Sequence, residues 1–265
     1  MSFSLEEIKI KINEIKKNSI RPLTNFYDNI PKNRNIVSVY NKEKSIVFCV
    51  DDNSVYRGYF YSSDLDELQD LLGKLNKNTI VDIITKKENL DVSILLNKSG
   101  FEKYAIFKRA SNPNICEFDE INNAEYLENK LDNLGKYAEL RDLKLIHSKL
   151  YKIFNPYTSH IMTVDELEYM IINKQVMVNI TNNDLVSFLI FRIEGCKFYI
   201  NHVYNNGDRK IIDYIMKKSL TKYINDFKIN YLYSWIDEKN VRSIRFHERY
   251  GMKFDGLIDF IYIKS

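Results

Sequence analysis

Cysteine is scarce in this chain of 265 residues: there are three, Cys49, Cys116 and Cys196, far apart and without CxxC spacing. That scarcity argues against a disulfide framework and against a zinc site, and it fits a reducing, cytoplasmic setting. An excess of one charge is missing as well, since 39 Lys and Arg face 36 Asp and Glu. A nucleic-acid binder normally carries a strongly basic face, so no nucleic-acid partner is expected. Long apolar runs are also lacking. No window approaches the roughly 18 continuous apolar residues of a membrane span, so no membrane partner is expected either. The opening stretch, "MSFSLEEIKIKINEIKK", carries acids and lysines through its apolar positions and does not read as a signal peptide.

What is present is an ordinary globular composition, with 45% apolar and 13% aromatic residues. The length allows one large domain or two of usual size, each able to bury a core. Leu5, Ile8, Ile12 and Ile15 recur at helical spacing and predict an amphipathic surface helix. Strands are expected at "NIVSVY", "SIVFCV", "YRGYFY", "TIVDIIT" and "FEKYAIFKR", with a helix over residues 64–75 and a short one near residue 90. The polar stretch "ASNPNICEFDEINNA" then marks a boundary. Beyond it the pattern predicts helices over 132–155 and 164–173 and strands "VMVNIT", "DLVSFLIFRI" and "KFYINHVY". A helix over 209–224, a strand "YLYSWI", a helix over 240–250 and a strand "GLIDFIYI" complete the chain.

A repeat lies within this order. Shifted by 151 residues, 85–101 falls on 236–252, so that Asn89 meets Asn240, Leu95 meets Phe246 and Gly100 meets Gly251. Both segments follow an apolar strand and lead into another. Duplication explains this shared order, and each Gly also suits a helix C-terminus, where left-handed backbone is common.

The segment 240–252, with Asn240, Ser243, Phe246 and Gly251 at the right intervals, resembles the last helix of the GNAT superfamily of acetyl-CoA-dependent N-acyltransferases. Two departures from that pattern are His247, where the family usually has Tyr, and Met252, where it has Phe. The resemblance covers the C-terminal half well and the N-terminal half, from about residue 35, in degenerate form. It implies an α/β (mixed α+β) fold of two GNAT-like domains in tandem, a degenerate copy over 1–115 and an acetyltransferase domain over 116–265. Each would be a mostly antiparallel sheet flanked by helices.

The resemblance also implies a cofactor pocket. Two parallel strands, 197–204 and 231–236, are expected to splay so that the pantetheine arm of acetyl-CoA pairs with their free backbone groups. Val203 and Tyr204 would line the arm. The phosphates would meet the loop Asn205, Asn206, Gly207, Asp208, Arg209 and Lys210, whose Asn residues tolerate left-handed backbone and so permit a nest of amides. Asp208 opposes a phosphate unless it caps the following helix. From the last helix, Asn240, Ser243 and Phe246 would face the cofactor. The matching junction of the first half, "YFYSSDLDELQDLL", has no glycine and several acids, so no CoA-type cofactor is expected there.

Acyl transfer needs an amine freed of a proton, a stabilised oxyanion and a protonated leaving thiolate. His247 stands where the family places its proton-donating Tyr, and Tyr250 is the alternative donor. His202 is the candidate base, and strict alternation puts it on the face of Ile200 and Tyr204. Glu194 and Asp237 are weaker alternatives. His160, Tyr157 and Met162 fall in the segment that usually borders the acceptor in this family, while Cys196 has no nearby basic pattern, and direct attack by the amine needs no covalent intermediate. The resemblance thus implies transfer from acetyl-CoA to a primary amine of a small molecule, an amino acid or a peptide, without a metal, by a monomer (a pseudo-dimer) or a homodimer. A GNAT-like binding protein without catalysis and a Fem-type aminoacyltransferase are the other readings.

Overall fold

The computed structural model describes residues 4–19, 21–27, 34–117 and 135–264. The fold is mixed α/β and the sheet mostly antiparallel, as expected. The chain divides into two compact units. One holds residues 1–107, 155–160 and 257–265, and the other holds 108–154 and 161–256.

In the first unit, α1 (Leu5–Lys17) starts at a capping box in which the Glu7 N–H donates to the Ser4 hydroxyl and the Glu7 carboxylate accepts from the Ser4 N–H. Its buried residues, Ile8, Ile12 and Ile15, are three of the four read from the helical period. The sheet runs β2 (Ile36–Asn41), β3 (Ser45–Asp52), β4 (Val55–Ser62), β5 (Thr79–Thr85) and β12 (Lys253–Lys264). Helices α2 (Leu65–Gly73) and α3 (Leu90–Lys98) cover one face through Leu68, Leu71, Leu72, Leu95 and Leu96, while α1 covers the other with Phe26, Phe48 and Tyr59. A short strand, β1 (Leu23–Thr24), was not expected; it pairs with β4 alone.

The second unit orders its strands β6 (Phe101–Asn112), β11 (Tyr231–Asp237), β10 (Lys197–Asn205), β9 (Asp184–Glu194), β8 (Val176–Thr181) and β7 (Lys136–Tyr137). On one face lie α6 (Arg209–Phe227) and α7 (Val241–Glu248), around Phe191, Phe198, Met216 and Phe246. On the other lie α4 (Leu143–Ile153) and α5 (Val164–Ile172), around Leu150, Met162, Leu167 and Phe188. The helix expected over 132–155 is shorter: α4 begins at Leu143, β7 takes 136–137, and 132–134 lie outside the described residues. Part of the expected boundary stretch, 118–124, lies outside them too.

β5 neighbours β12, which belongs to the first unit from Leu257, and β11 neighbours β6, which belongs to the second unit from Lys108, so each unit takes a strand from the other half of the sequence. Positions that the 151-residue shift aligns do the same local work. Asn89 caps α3 by accepting the Asp91 and Val92 N–H groups, and Asn240 caps α7 by accepting the Ser243 N–H. Gly100 and Gly251 both end their helices in the left-handed region, at φ +87° and +67°.

This backbone geometry sets up a paired test. At Gly100 a Cβ meets nothing nearer than the Lys264 side chain at 3.7 Å, so Gly100→Ala suffers only the cost of its positive φ, about 1 kcal/mol of stability. Gly73 closes α2 with nothing within 4 Å and no positive φ. Gly73→Ala is therefore expected to raise stability by up to about 1 kcal/mol. Urea unfolding of the two variants checks both signs.

Candidate functional site

In β10, Phe198 and Ile200 point into the α6 and α7 face. Ile200 opposes Phe191 on β9, but His202 opposes Ile190, which leaves Asn201 as a bulge. A bulge inserts one residue and reverses the alternation. His202 and Tyr204 therefore lie on the α4 face, opposite Ile200, which corrects the expectation from strict alternation. The buried His202 ring meets Phe154 edge-on at 4.6 Å, Tyr204 lies against Phe188, and Val203 turns to the α6 side.

The ladder between the parallel β10 and β11 runs only from Lys197–Tyr231 to Ile200–Ser234. At its last rung the Ser234 hydroxyl donates to the Ile200 carbonyl at 3.0 Å. From His202 to Asn205 the strand keeps its register with β9 alone, so the two parallel strands part. Helix α6 starts beyond one strand end and α7 beyond the other.

The loop between β10 and α6 is held by its own side chains. The Gly207 N–H donates to Asn205 Oδ1 at 3.2 Å, and that oxygen also accepts from the Ser187 hydroxyl. The Lys210 N–H donates to Asp208 at 2.9 Å, so Asp208 is the N-cap that the sequence allowed it to be. None of Asn205, Asn206 and Gly207 has positive φ, which corrects the expected left-handed nest. Glycine is needed at 207 for space: a Cβ there would stand 2.6 Å from Val186 Cγ1. Arg209 is exposed and leans on Asp213 at 3.4 Å, and Lys210 is exposed beside it. Sequence reasoning missed Arg242, whose guanidinium donates to the Asn205 carbonyl at 2.6 Å and so ties the start of α7 to the end of β10.

The two expected proton donors do not suit that role. Burial pushes the His247 imidazolium down to about 4, against a partly offsetting bond to the Ser243 backbone, so the ring is neutral at physiological pH. Its Nδ1 lies 2.7 Å from the Ser243 carbonyl, which only an N–H can satisfy, so Nε2 carries the lone pair. Tyr250 is buried in the α6–α7 core, and its hydroxyl donates to the Asp213 carboxylate at 3.2 Å. Phe246 lies in the same core, and Ser243 takes the Asn240 cap.

The first unit repeats the parting. Its parallel ladder pairs only Tyr56–Thr79 and Arg57–Ile80, while β3 occupies the other edge of β4 throughout. Here the open edge is filled. β1 pairs antiparallel with β4, Leu23 opposing Ser62 and Thr24 opposing Tyr61. Buried Asn25 donates to the Gly58 carbonyl at 2.9 Å and accepts the Phe60 N–H at 2.8 Å, while Thr24 Oγ1 donates to the Phe60 carbonyl at 2.7 Å. A side-chain amide thus does what a peptide of an added strand would do. Asp64 caps α2 through the Asp66 and Glu67 N–H groups. Nothing in "PLTNFYD" signals this role of Asn25.

His160 and Tyr157 belong to the first unit, not to the acceptor side of the second half. His160 Nδ1 lies 2.9 Å from Asp52, which also holds Arg34 at 3.1 Å and Arg57 at 2.6 Å. Burial works against the charge on Asp52, yet His160 and Arg57 hold it down at about 2. Arg57 reaches on to Asp82 at 2.8 Å. Because Asp82 opposes Ile261 and Ile84 opposes Asp259, the two aspartates share one face of the sheet. Each has a buried Oδ1 without a hydrogen-bond partner. Burial raises both carboxyls; Arg57 offsets this at Asp82, whereas the nearby Asp82 charge adds to it at Asp259.

No family model matches the chain, and no curated protein matches it in sequence. Solved structures do match in fold. A GCN5-related N-acetyltransferase from Sphaerobacter thermophilus aligns over 83% of this chain and 76% of its own, with TM-score 0.53 and 10% identity. A GNAT-family acetyltransferase from Colwellia psychrerythraea aligns over 99% and 97%, with TM-score 0.51 and 13% identity. The fold is that of the GNAT acetyltransferases. A Staphylococcus epidermidis protein of unknown function shares this GNAT fold at TM-score 0.55 and 10% identity, over 91% of this chain and 98% of its own.

Two measurements probe this geometry. Asn25→Ala strands a buried carbonyl and a buried N–H and is expected to lower stability by about 2–4 kcal/mol, whereas a surface Asn→Ala change is nearly neutral. Asp259 keeps its proton in the folded state at pH values where the unfolded chain has lost it. The folded state then binds more protons, so stability falls as pH rises from the ordinary carboxylate range through the raised value. Asp259→Asn is expected to be more stable than wild type at pH 8 by a margin that shrinks toward pH 4, and a margin independent of pH would contradict the assignment.

Proposed function

We propose that this protein transfers an acetyl group from acetyl-CoA to a primary amine of a small molecule, an amino acid or a peptide, and that its second unit does so. One observation carries the reading. The edge of β10 after Ile200 has no β11 partner, while the matching edge of β4 is already closed by β1 and Asn25. The amides of a pantetheine arm suit such an edge as an added strand does, beside Val203, Tyr204 and Asn205. On this reading Asn240 and Ser243, at the start of α7, and Phe246 further along it face the arm from the other side. Because Asn205 and Asp208 already occupy the Gly207 and Lys210 amides, the phosphates depend on the side chains of Arg209, Lys210 and Arg242.

In the reaction the amine nitrogen attacks the thioester carbonyl carbon, and collapse of the tetrahedral adduct breaks the C–S bond. The amine gives up a proton and the sulfur gains one. His202 follows the bulge at the point where the ladder ends, and we assign it the amine proton. With His247 neutral and Tyr250 bound to Asp213, the sulfur takes its proton from His202 or from water. We also read the two units as copies of one ancestral domain, 1–115 and 116–265 in sequence, on the strength of the shared Asn caps, left-handed glycines and half-open ladders.

Calorimetry with acetyl-CoA is expected to show binding that the double change Arg209→Gln and Lys210→Gln weakens by about tenfold or more. Free thiol is expected to appear when a suitable amine is added, about 10²-fold more slowly in His202→Phe. Binding without thiol release across an amine panel would make the protein a CoA binder and not an enzyme. Absence of binding would remove the reading.

A further inference from the structure

Beyond the ladder, the edge of β10 presents a definite set of backbone groups. The Asn206 N–H donates to the Val186 carbonyl at 2.9 Å. In an antiparallel ladder, successive residues alternate between turning both backbone groups to the partner strand and turning both away. Val203 and Asn205 therefore aim their N–H and C=O groups away from β9, toward the side of β11, where the parallel ladder has already ended. An extended arm laid along this edge would pair with those two residues.

Arg242 occupies one of these groups. From the second position of α7, its guanidinium donates to the Asn205 carbonyl at 2.6 Å. Because β11 leads into α7, this one side chain joins the two sides of the opening at the end of β10. Two further facts set the contact apart from a structural tie. Arg242 is exposed, so it can leave the carbonyl without disturbing a packed core. Among the described residues it also has no carboxylate partner, whereas Arg209 and Arg249 both pair with Asp213. A guanidinium held only by a neutral carbonyl gains by moving to an anion, which it can meet with two parallel hydrogen bonds.

We infer that Arg242 sets the carrier specificity of this opening: it latches the mouth through the Asn205 carbonyl and yields to a ligand whose phosphate takes the guanidinium in exchange. The inference rests on the reading of the second unit as a site for acetyl-CoA. A phosphate-free pantetheine thioester must displace Arg242 from Asn205 and offers it nothing in return. Acetyl-CoA displaces it too, but supplies phosphate oxygens. The same residue thus works against one ligand and for the other. Arg209, which leans on Asp213, holds no group of the edge and has no such double effect.

Acetyl-CoA and S-acetylpantetheine serve as probes, because they share the thioester and the arm and only the first carries phosphates. Calorimetry compares them on wild type and on Arg242→Ala, which removes an exposed side chain and leaves the Asn240 cap in place. In the variant, acetyl-CoA is expected to bind about tenfold more weakly, through loss of a charged contact. S-Acetylpantetheine is expected to bind about threefold more tightly, because the Asn205 carbonyl no longer has to be freed. Opposite signs are the signature of the latch. If S-acetylpantetheine binds no more tightly to the variant than to wild type, or if acetyl-CoA is unaffected, the inference is overturned while acetyl-CoA binding stands. If wild type binds neither compound, the acetyl-transfer reading falls and the inference falls with it.

Discussion

Two parallel strands that begin side by side and then part leave backbone N–H and C=O groups that something else must satisfy. Both units of this molecule are built around such a parting. In the second, the ladder ends at Ile200–Ser234, and in the first at Arg57–Ile80. The helices that follow β4, β5, β10 and β11 begin at the open ends, so a decision made by a few backbone hydrogen bonds positions α2, α3, α6 and α7 as well. The units differ in how the open edge is treated. In the first, the chain supplies its own substitute strand and a side-chain amide; in the second, β10 beyond Ile200 keeps its register with β9 alone.

The chemistry of each opening follows the same division. In the second unit the bulge at Asn201 turns His202 away from the α6 core and onto the opposite face, next to the end of the ladder. In the first, the corresponding region holds Arg57, Asp82, Asp52 and His160, already bound to one another. Charges so engaged are poor candidates for substrate binding, because a ligand must first break pairs that are shielded from water. The closed edge and the self-satisfied charges point the same way, since both leave a ligand less to pair with in the first unit.

His247 shows how environment overrides residue type. An imidazole is the usual choice for proton transfer near neutral pH. Burial at 3% exposure and a Ser243 carbonyl on Nδ1 leave this one neutral, with a bare lone pair.

Most elements were legible in the sequence, because periodicity and end signals are local. The strands expected at "TIVDIIT" and "VMVNIT" match the bounds of β5 and β8 residue for residue, and Asn89, Asn240, Gly100 and Gly251 bound their helices as those residue types should. Three features were not legible, since each depends on residues far apart in the chain. The bulge at Asn201 depends on register against β9, and no pattern within "KFYINHVY" reveals it. Asn25 acquires its role only where Gly58 and Phe60 come within 3 Å of its amide. The pairing of β5 with β12, and of β11 with β6, brings Asp259 to the face of Asp82 across the length of the sequence. Local composition and spacing determined most of the helices and strands and where they stop, though not β1, β7 or the late start of α4. Tertiary structure decided which edge stays open, which histidine holds a proton and which carboxyl keeps one, because those depend on burial and on partners that only folding supplies.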